Sequence, residues 1–542
     1  MRRVLASVAV VLVGLAAVAA TDDDLFEIRK NFALFGRIYE TLASEYVDPV
    51  GAEPLMRTGL AAMTDALDPY TVFFDEATAA EGRLQQGQDV GGVGAVVQAR
   101  GGALTVVAVA DGSSAETQGL RPGDTVDTLA GRPAAGLTPE TAAALLRGQP
   151  GSTVELTVRR DGEPEPLRFV LVRAEATRAV VSFAGYVGDP ADGVGFVRLE
   201  TFLGEATREI TEAIAQLRTE GTLRALVLDL RGNPGGLLNE AVGVSGLFLP
   251  QGTLVTATRG RAEGTSSTYV TPDAPIAPDL PVAVLVDEHS ASASEIVAGA
   301  LQDHDRGVIV GATTFGKGLV QVVRPMPYGT ALKLTVSRYT TPAGREIQRL
   351  AYAQGARAAA VPDSLRRAFQ TVGGRPVRSG GGIEPDVPVA LGDESDLEAA
   401  LVRSAAFTRF ANRYRTENAT LPAGFRVDAS LLTAFRRFVE AENVTYRTAS
   451  ERAADALATE LDAAGYGATS ELTALRRAVE REKARDFERH ADRLADQLRQ
   501  EILSRYVGQR AQTTAALADD RTLAAARTLV LDRRQYDRTL GR

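Results

Sequence analysis

The sequence predicts a multidomain α/β protein, with an N-terminal helical segment, a β-rich domain, an α/β core and a C-terminal helical extension. Three observations carry this expectation. A chain of 542 residues is longer than one ordinary hydrophobic core can organise. Its apolar spacing changes from a helical three-or-four to short β-like runs, and then to near-continuous apolar runs alternating with helical ones. After Leu391 the strand signal ends, and Ala, Arg, Glu, Asp and Leu dominate.

Met1 to Ala20 begins with Arg2 and Arg3, continues through the apolar run Val4 to Val18 and ends in small residues before Asp22-Asp23-Asp24. That order reads as a secretory signal peptide cleaved near Ala20, or as a membrane tether where it is retained. The expected location is therefore outside the cytosol of a bacterium-like cell, in the periplasm or envelope. In 21–86, Phe26, Phe32, Phe35, Ile38, Tyr39 and Leu42 recur at helical spacing, and the pattern resumes at Leu55, Leu60 and Met63 after Asp48-Pro49.

In 87–176, the glycine-punctuated runs Val93 to Val97, Leu104 to Val109, Val154 to Val158 and Leu167 to Val172 predict strands. Helices are expected at Ser114 to Gly119 and Pro139 to Arg147. In 177–391, strands at Val194 to Leu199, Ala225 to Leu230 and Val282 to Val286 alternate with helices around Glu205 to Thr219, after Gly236, and from Ser292 to Asp303. This pattern predicts a sheet covered on both faces. In 392–542, Leu472, Leu475, Val479, Phe487, Ala491, Leu494, Leu498 and Ile502 hold a helical spacing that predicts an amphipathic helix packed on its own protein.

Composition excludes several functions. Sixty Lys and Arg stand against 69 Asp and Glu, a net charge of -9 with no basic stripe, which argues against a nucleic-acid partner. Zero cysteines remove disulfides, thiol nucleophiles and thiolate metal sites. His289, His304 and His490 show no metal-ligand spacing, and Gly91-Gly92-Val93-Gly94 fits neither a phosphate loop nor a dinucleotide fingerprint. No metal or organic cofactor is expected.

The chemistry-bearing pair is Ser292, in Ser290-Ala291-Ser292-Ala293-Ser294-Glu295, and Lys317, in Thr314-Phe315-Gly316-Lys317-Gly318. A serine hydroxyl needs a base to become a nucleophile, and a lysine in apolar surroundings loses solvation of its charged form and can serve. Ser292 follows a buried strand where a helix should begin, so the Ala293 amide would stand at a helix N-terminus suited to an oxyanion. Ser290 or Ser294 is expected to cap that helix. Gly235 and Gly236, after the strand end Asp229-Leu230-Arg231, offer a second oxyanion donor because a carbonyl can approach glycine backbone closely. His289 is the rival base, but it is so near Ser292 in sequence that it would need a sharp backbone reversal to face the hydroxyl.

Taken together, Asp229 to Gly236, Ser290 to Ile296 with Ala298-Gly299-Ala300-Leu301, Thr314 to Gly318, Tyr339-Thr340-Thr341-Pro342-Ala343-Gly344 and Gly382 to Val387 resemble the C-terminal processing peptidases, the tail-specific serine/lysine proteases of family S41. The resemblance runs from about Asp22 to Leu391. It implies a crotonase/ClpP-like peptidase core at 177–391, Ser292 as nucleophile, Lys317 as general base and Gln321 orienting the amine. It also implies a PDZ domain at 87–176 whose Gly92-Val93-Gly94-Ala95 loop binds a substrate C-terminus. Protein or peptide substrates with exposed C-termini are the implied partners. For the long C-terminal extension, shielding the site, self-association and adaptor binding all stand open. The rival readings are a non-catalytic periplasmic scaffold that holds tails through the PDZ domain, and a hydrolase of small esters or lipids on the same fold.

Overall fold

Strands buried along their whole length need cover on both sheet faces, and Val282–Val286 and Ala225–Asp229 are such strands. They lie at the centre of a six-stranded sheet, ordered Val387–Pro388, Val308–Gly311, Val282–Val286, Ala225–Asp229, Val194–Leu199 and Val181–Tyr186. Neighbours run parallel until the last pair, where Val181–Tyr186 is antiparallel to Val194–Leu199.

The computed structural model describes residues 22–76, 78, 91–174, 180–352, 359–390, 392, 394–422, 424–467 and 469–542. The expected export signal at Met1 to Ala20, and residues 87–90 at the start of the β-rich domain, lie outside the described residues. The chain divides into a smaller unit (1–80, 321–336 and 351–359) and a larger one (81–320, 337–350 and 360–542).

In the larger unit, period-2 alternation sorts the central strands onto two cores. Leu226, Leu228, Val282, Val284, Val286 and Ile309 face helices Ala206–Glu220, Leu238–Gly246 and Ala293–Asp303. Val227, Ala283, Leu285, Val308 and Val310 face the other way, onto Leu523, Ala526, Leu529, Val530, Tyr536 and Leu540. The second cover of the sheet is thus supplied by helices Arg521–Leu531 and Arg533–Thr539, from the far end of the C-terminal extension. The Tyr536 hydroxyl accepts from Val282 N at 2.9 Å, fixing the last helix to the central strand.

The β-rich domain is an antiparallel sheet ordered Ala95–Arg100, Ala103–Val109, Thr125–Leu129, Thr153–Arg159 and Leu167–Val172, closed by helices Ser114–Thr117 and Pro139–Leu146 over its own apolar core. Strand Thr125–Leu129 was not expected, because its Thr-Val-Asp-Thr-Leu composition is too polar to stand out. The remaining C-terminal helices enclose a separate core of Leu397, Leu401, Phe407, Phe410, Phe435, Leu494, Leu498 and Ile502. The expected long helix is broken into Thr469–Lys483, Asp486–Arg489 and Ala491–Leu503. Only its last part keeps the apolar stripe buried: Leu494, Leu498 and Ile502 are inaccessible, whereas Thr469–Lys483 buries no residue.

In the smaller unit, helices Asp22–Glu45 and Ala52–Asp65 flank the expected break at Asp48-Pro49. Strand Val72–Phe74 pairs antiparallel with Ala331–Thr340 through Val72 opposite Lys333. The apolar stripe of the first helix is left exposed, including Phe26, Phe32 and Ile38.

Because Tyr536 closes the core against the central strand, Tyr536→Ala should cost about 3–5 kcal/mol in chemical denaturation. Leu531→Ala, on the exposed side of the neighbouring helix, should cost under about 0.5 kcal/mol.

Candidate active site

Ser292 stands at the N-cap of helix Ala293–Asp303 with φ 55° and ψ -110°, a conformation that L residues rarely hold. Its surroundings impose that geometry. The Ser290 hydroxyl is buried and donates to Leu230 O at 2.8 Å, and the buried Ser294 hydroxyl donates to Asn233 O at 2.9 Å. Neither serine caps the helix, contrary to expectation; both pin the loop carrying Ser292 to the segment Leu230 to Asn233. Ser292, between them, remains half-exposed.

Glu295, one turn into the helix, is completely buried, and its carboxylate gathers four donors. Oε2 accepts from Ser292 N (2.8 Å) and Lys317 N (2.9 Å), and Oε1 from Thr314 Oγ1 (2.6 Å) and Gly316 N (2.7 Å). One carboxylate oxygen thus holds the backbone of the serine and that of the lysine together. Burial pushes the Glu295 carboxyl above its ordinary range, while the bonds from Thr314, Lys317, Ser292 and Gly316 pull it back. On the opposite side, the buried Tyr339 hydroxyl donates to Lys317 O at 2.7 Å and lies 3.1 Å from Ser292 O. Burial drives that phenol well above its usual pKa, with the Glu295 charge adding to the effect, so it stays a donor.

The lysine loop is braced by the motif near the end of the core. Thr314 N donates to Ile383 O (3.1 Å), Ile383 N returns a bond to Thr314 Oγ1 (2.7 Å), and Phe315 N donates to Ser290 O (3.0 Å). Lys317 is half-buried, and strand Leu319–Pro325 beyond it becomes exposed after its first residues. Arg345, buried against Asp303 at 2.6 Å, anchors the turn that follows the Tyr339 strand.

Of the expected oxyanion donors, the Ala293 amide has no acceptor among the described residues. Gly235 corrects the expectation, because its amide already donates to Asn233 Oδ1 at 2.9 Å. Gly235 instead allows close approach: with φ 98°, a Cβ there would lie 2.8 Å from both Ser292 Cβ and Ala293 N. The Gly236 amide is the one without an acceptor among the described residues. Asn233, fully buried, joins this loop to the serine loop, since its backbone oxygen accepts from Ala291 N (3.0 Å) and its side-chain amide donates to Leu199 O (2.8 Å). Arg231 binds Asp229 through two 2.8 Å bonds and Asp520 of the extension at 2.6 Å, tying the glycine loop to the C-terminal helices.

Gln321 falls in the smaller unit, where its amide nitrogen donates to Thr335 Oγ1 (3.3 Å), which in turn donates to Asp68 (3.1 Å). His289 is exposed, near Glu288. No cluster of metal-ligating residues occurs among the described residues.

In the β-rich domain, Ala95–Arg100 is the terminal strand of the sheet, with helix Pro139–Leu146 packed beside it. The Gly92 amide is taken by Ala174 O at 2.9 Å, so Gly92 does not offer a donor to a ligand. The amides of Val93 and Gly94 have no acceptor among the described residues, while Val93 O and Gly94 O accept from Ala115 and Ala110. Gly94, at φ 79°, lies against Ser113, where any Cβ would collide at 2.1 Å. Ala95 begins the strand, opposite Val109.

Residues 193–353 match peptidase family S41, 105–160 match the PDZ domain, and 397–530 match the "Probable PDZ-protease, C-terminal helical domain". A carboxy-terminal-processing protease of Bartonella bacilliformis is 34% identical over 322 residues, covering 59% of this chain and 73% of the relative. The chain belongs to peptidase family S41. A carboxy-terminal processing protease of Bacillus subtilis is 33% identical over 338 residues, covering 62% of this chain and 69% of its own. Among solved structures, a photosystem II D1 C-terminal processing protease aligns at 30% identity and a TM-score of 0.38, over 66% of this chain and 86% of that one. This S41 protein is thus a serine-type peptidase carrying a PDZ domain, and peptides or proteins are its substrate class.

Sequence reading passed over Glu295 and Tyr339. The spacing Ser292-x-x-Glu295 is a capping-box signature and marks the glutamate as a local cap; its second pair of partners is 19 to 21 residues away in sequence. Glu295→Gln sets an NH2 group against two of those donors. It should cost about 3 kcal/mol of stability and about 10²-fold in peptidase activity. Tyr339→Phe should keep the fold, lose about 1 kcal/mol and lower kcat more than it raises KM.

Proposed function

We propose that this protein is an exported endopeptidase that captures protein C-terminal tails with its PDZ domain and cleaves them through Ser292 and Lys317. The observation that supports the reading is the shared Glu295 oxygen, which accepts from the backbone amides of both Ser292 and Lys317. In the proposed reaction the neutral Lys317 amine takes the Ser292 hydroxyl proton as Oγ bonds to the scissile carbonyl carbon. The Ala293 and Gly236 amides receive the oxyanion. The C–N bond then breaks, and the leaving amine takes the proton held by Lys317. Water, deprotonated by the same lysine, attacks the acyl carbon, and Ser292 leaves with its proton restored. Gln321 is assigned to orient the lysine amine.

Tail capture is supported by the terminal strand Ala95–Arg100 and by the amides of Val93 and Gly94 beside it, which have no acceptor among the described residues. An extended peptide adds to such an edge with its carboxylate on the loop amides. Export is inferred from the pattern of Met1 to Ala20, and fractionation with N-terminal sequencing of the mature protein tests it.

Ser292→Ala and Lys317→Ala should each abolish cleavage of an unfolded, apolar-tailed protein with the circular dichroism spectrum unchanged, and Gln321→Ala should lower kcat. Full activity in Lys317→Ala removes the base assignment. Ser292→Ala used as a trap in the envelope should retain proteins that share C-terminal features, identified by mass spectrometry. Equal recovery from a chain lacking the PDZ domain removes tail recognition.

A further inference from the structure

Away from the active site, a cavity of about 210 Å³ lies where the PDZ domain meets the C-terminal helices. Two PDZ turns, 121–124 and 160–163, form one wall, and helix Ala406–Glu417 with Arg505 forms the other. Four arginines line it: Arg121, Arg160, Arg415 and Arg505. Two are neutralised locally. Arg160 makes two 2.7 Å bonds to Asp124, and Arg505 binds Glu501 at 2.8 Å and Asn412 at 2.7 Å.

Among the described residues, no carboxylate hydrogen-bonds either of the other two. The Arg121 side chain donates no hydrogen bond among the described residues, while its backbone amide goes to Asp124. Burial and the charges of Arg160 and Arg415 press its guanidinium below the ordinary arginine range, against an opposing pull from Asp124 and Glu163. Arg415 stacks on the Tyr506 ring at 4.6 Å and gives one nitrogen to the carbonyls of Asn418 and Ala419. Its Nε is buried without an acceptor. Two acids of the lining, Asp161 and Glu163, are exposed to water and hydrogen-bond neither arginine among the described residues.

Neighbouring guanidinium groups that no carboxylate hydrogen-bonds among the described residues, one with a buried donor lacking an acceptor, suit an anion that can bind both. We infer that this seam is a binding site for a tetrahedral phosphate dianion, free or as the head of a small phosphomonoester, held by Arg121 and Arg415. A single such group with accompanying water fits the volume, and arginine forks match its oxygens two at a time. Because the two walls belong to different domains, an occupant ties the PDZ domain to the C-terminal helices. The inference is independent of the catalytic assignments.

The test is calorimetric titration of the full chain with inorganic phosphate and, separately, with glycerol phosphate, at fixed ionic strength, followed by thermal unfolding with each. Arg121→Gln is the informative variant, because the exposed side chain carries no hydrogen bond whose loss would unfold the domain. Arg208→Gln, on an exposed helix face elsewhere, is the control. Saturable binding of either probe, a raised unfolding midpoint, and affinity weakened about tenfold or more in Arg121→Gln but not in Arg208→Gln support the site. Absence of saturable binding by both probes, or unchanged affinity in Arg121→Gln, overturns it.

Discussion

The catalytic region depends on a buried carboxylate whose lone pairs are all used. Glu295 accepts from the serine that begins its own helix and from three groups in the Thr314 to Lys317 loop. A carboxylate taken wholly out of water is tolerable only when such a cage replaces its hydration. The same bonds that make it tolerable hold the two loops at one distance. Tyr339 completes the clamp from the carbonyl side, so the backbone at Ser292 and Lys317 is held on both its amide and its carbonyl side. The positive φ of Ser292 is held within this cage, because a strained backbone conformation persists only where its surroundings over-determine it.

Around this clamp the family motifs behave as one connected lattice. Asn233 and the two flanking serines link the glycine loop to the Ser292 loop, Ile383 braces Thr314, and Arg345 sets the turn beyond Tyr339. Arg231 extends the lattice to Asp520, which also caps helix Arg521–Leu531 by accepting from Leu523 N. The C-terminal extension, open to several roles on sequence grounds, therefore forms part of the peptidase core. It supplies the apolar layer that the buried face of the central sheet requires. Upstream, Asp111 of the PDZ domain accepts from Gln509 N and Arg510 N, at the start of another of its helices.

Much of this was legible in advance. The buried parallel strands announced themselves as continuous apolar runs, and the β-rich domain as short glycine-bounded ones, because each pattern has a direct steric cause. Ser292 and Lys317 stood out through neighbours suited to a helix start and a tight turn. Strand Thr125–Leu129 was invisible, since its polar composition follows from pairing on both edges rather than from its own hydrophobicity. The split of the long helix was likewise hidden, because spacing continues across Arg485 and His490 while the backbone does not.

The sequence by itself determined the continuously apolar strands and most of the helices, which residues are chemically able to react, and which chemistries are absent for want of cysteine or paired histidine. Tertiary structure decided how those residues are used. It gave the Gly235 amide to Asn233 and left that of Gly236 without an acceptor among the described residues, turned a local capping glutamate into the joint between two distant loops, and laid the last helices over the central strands. The reason is physical: periodicity reports what each residue can bury, whereas the partner of a hydrogen bond or an apolar face is chosen only when segments far apart in the chain meet.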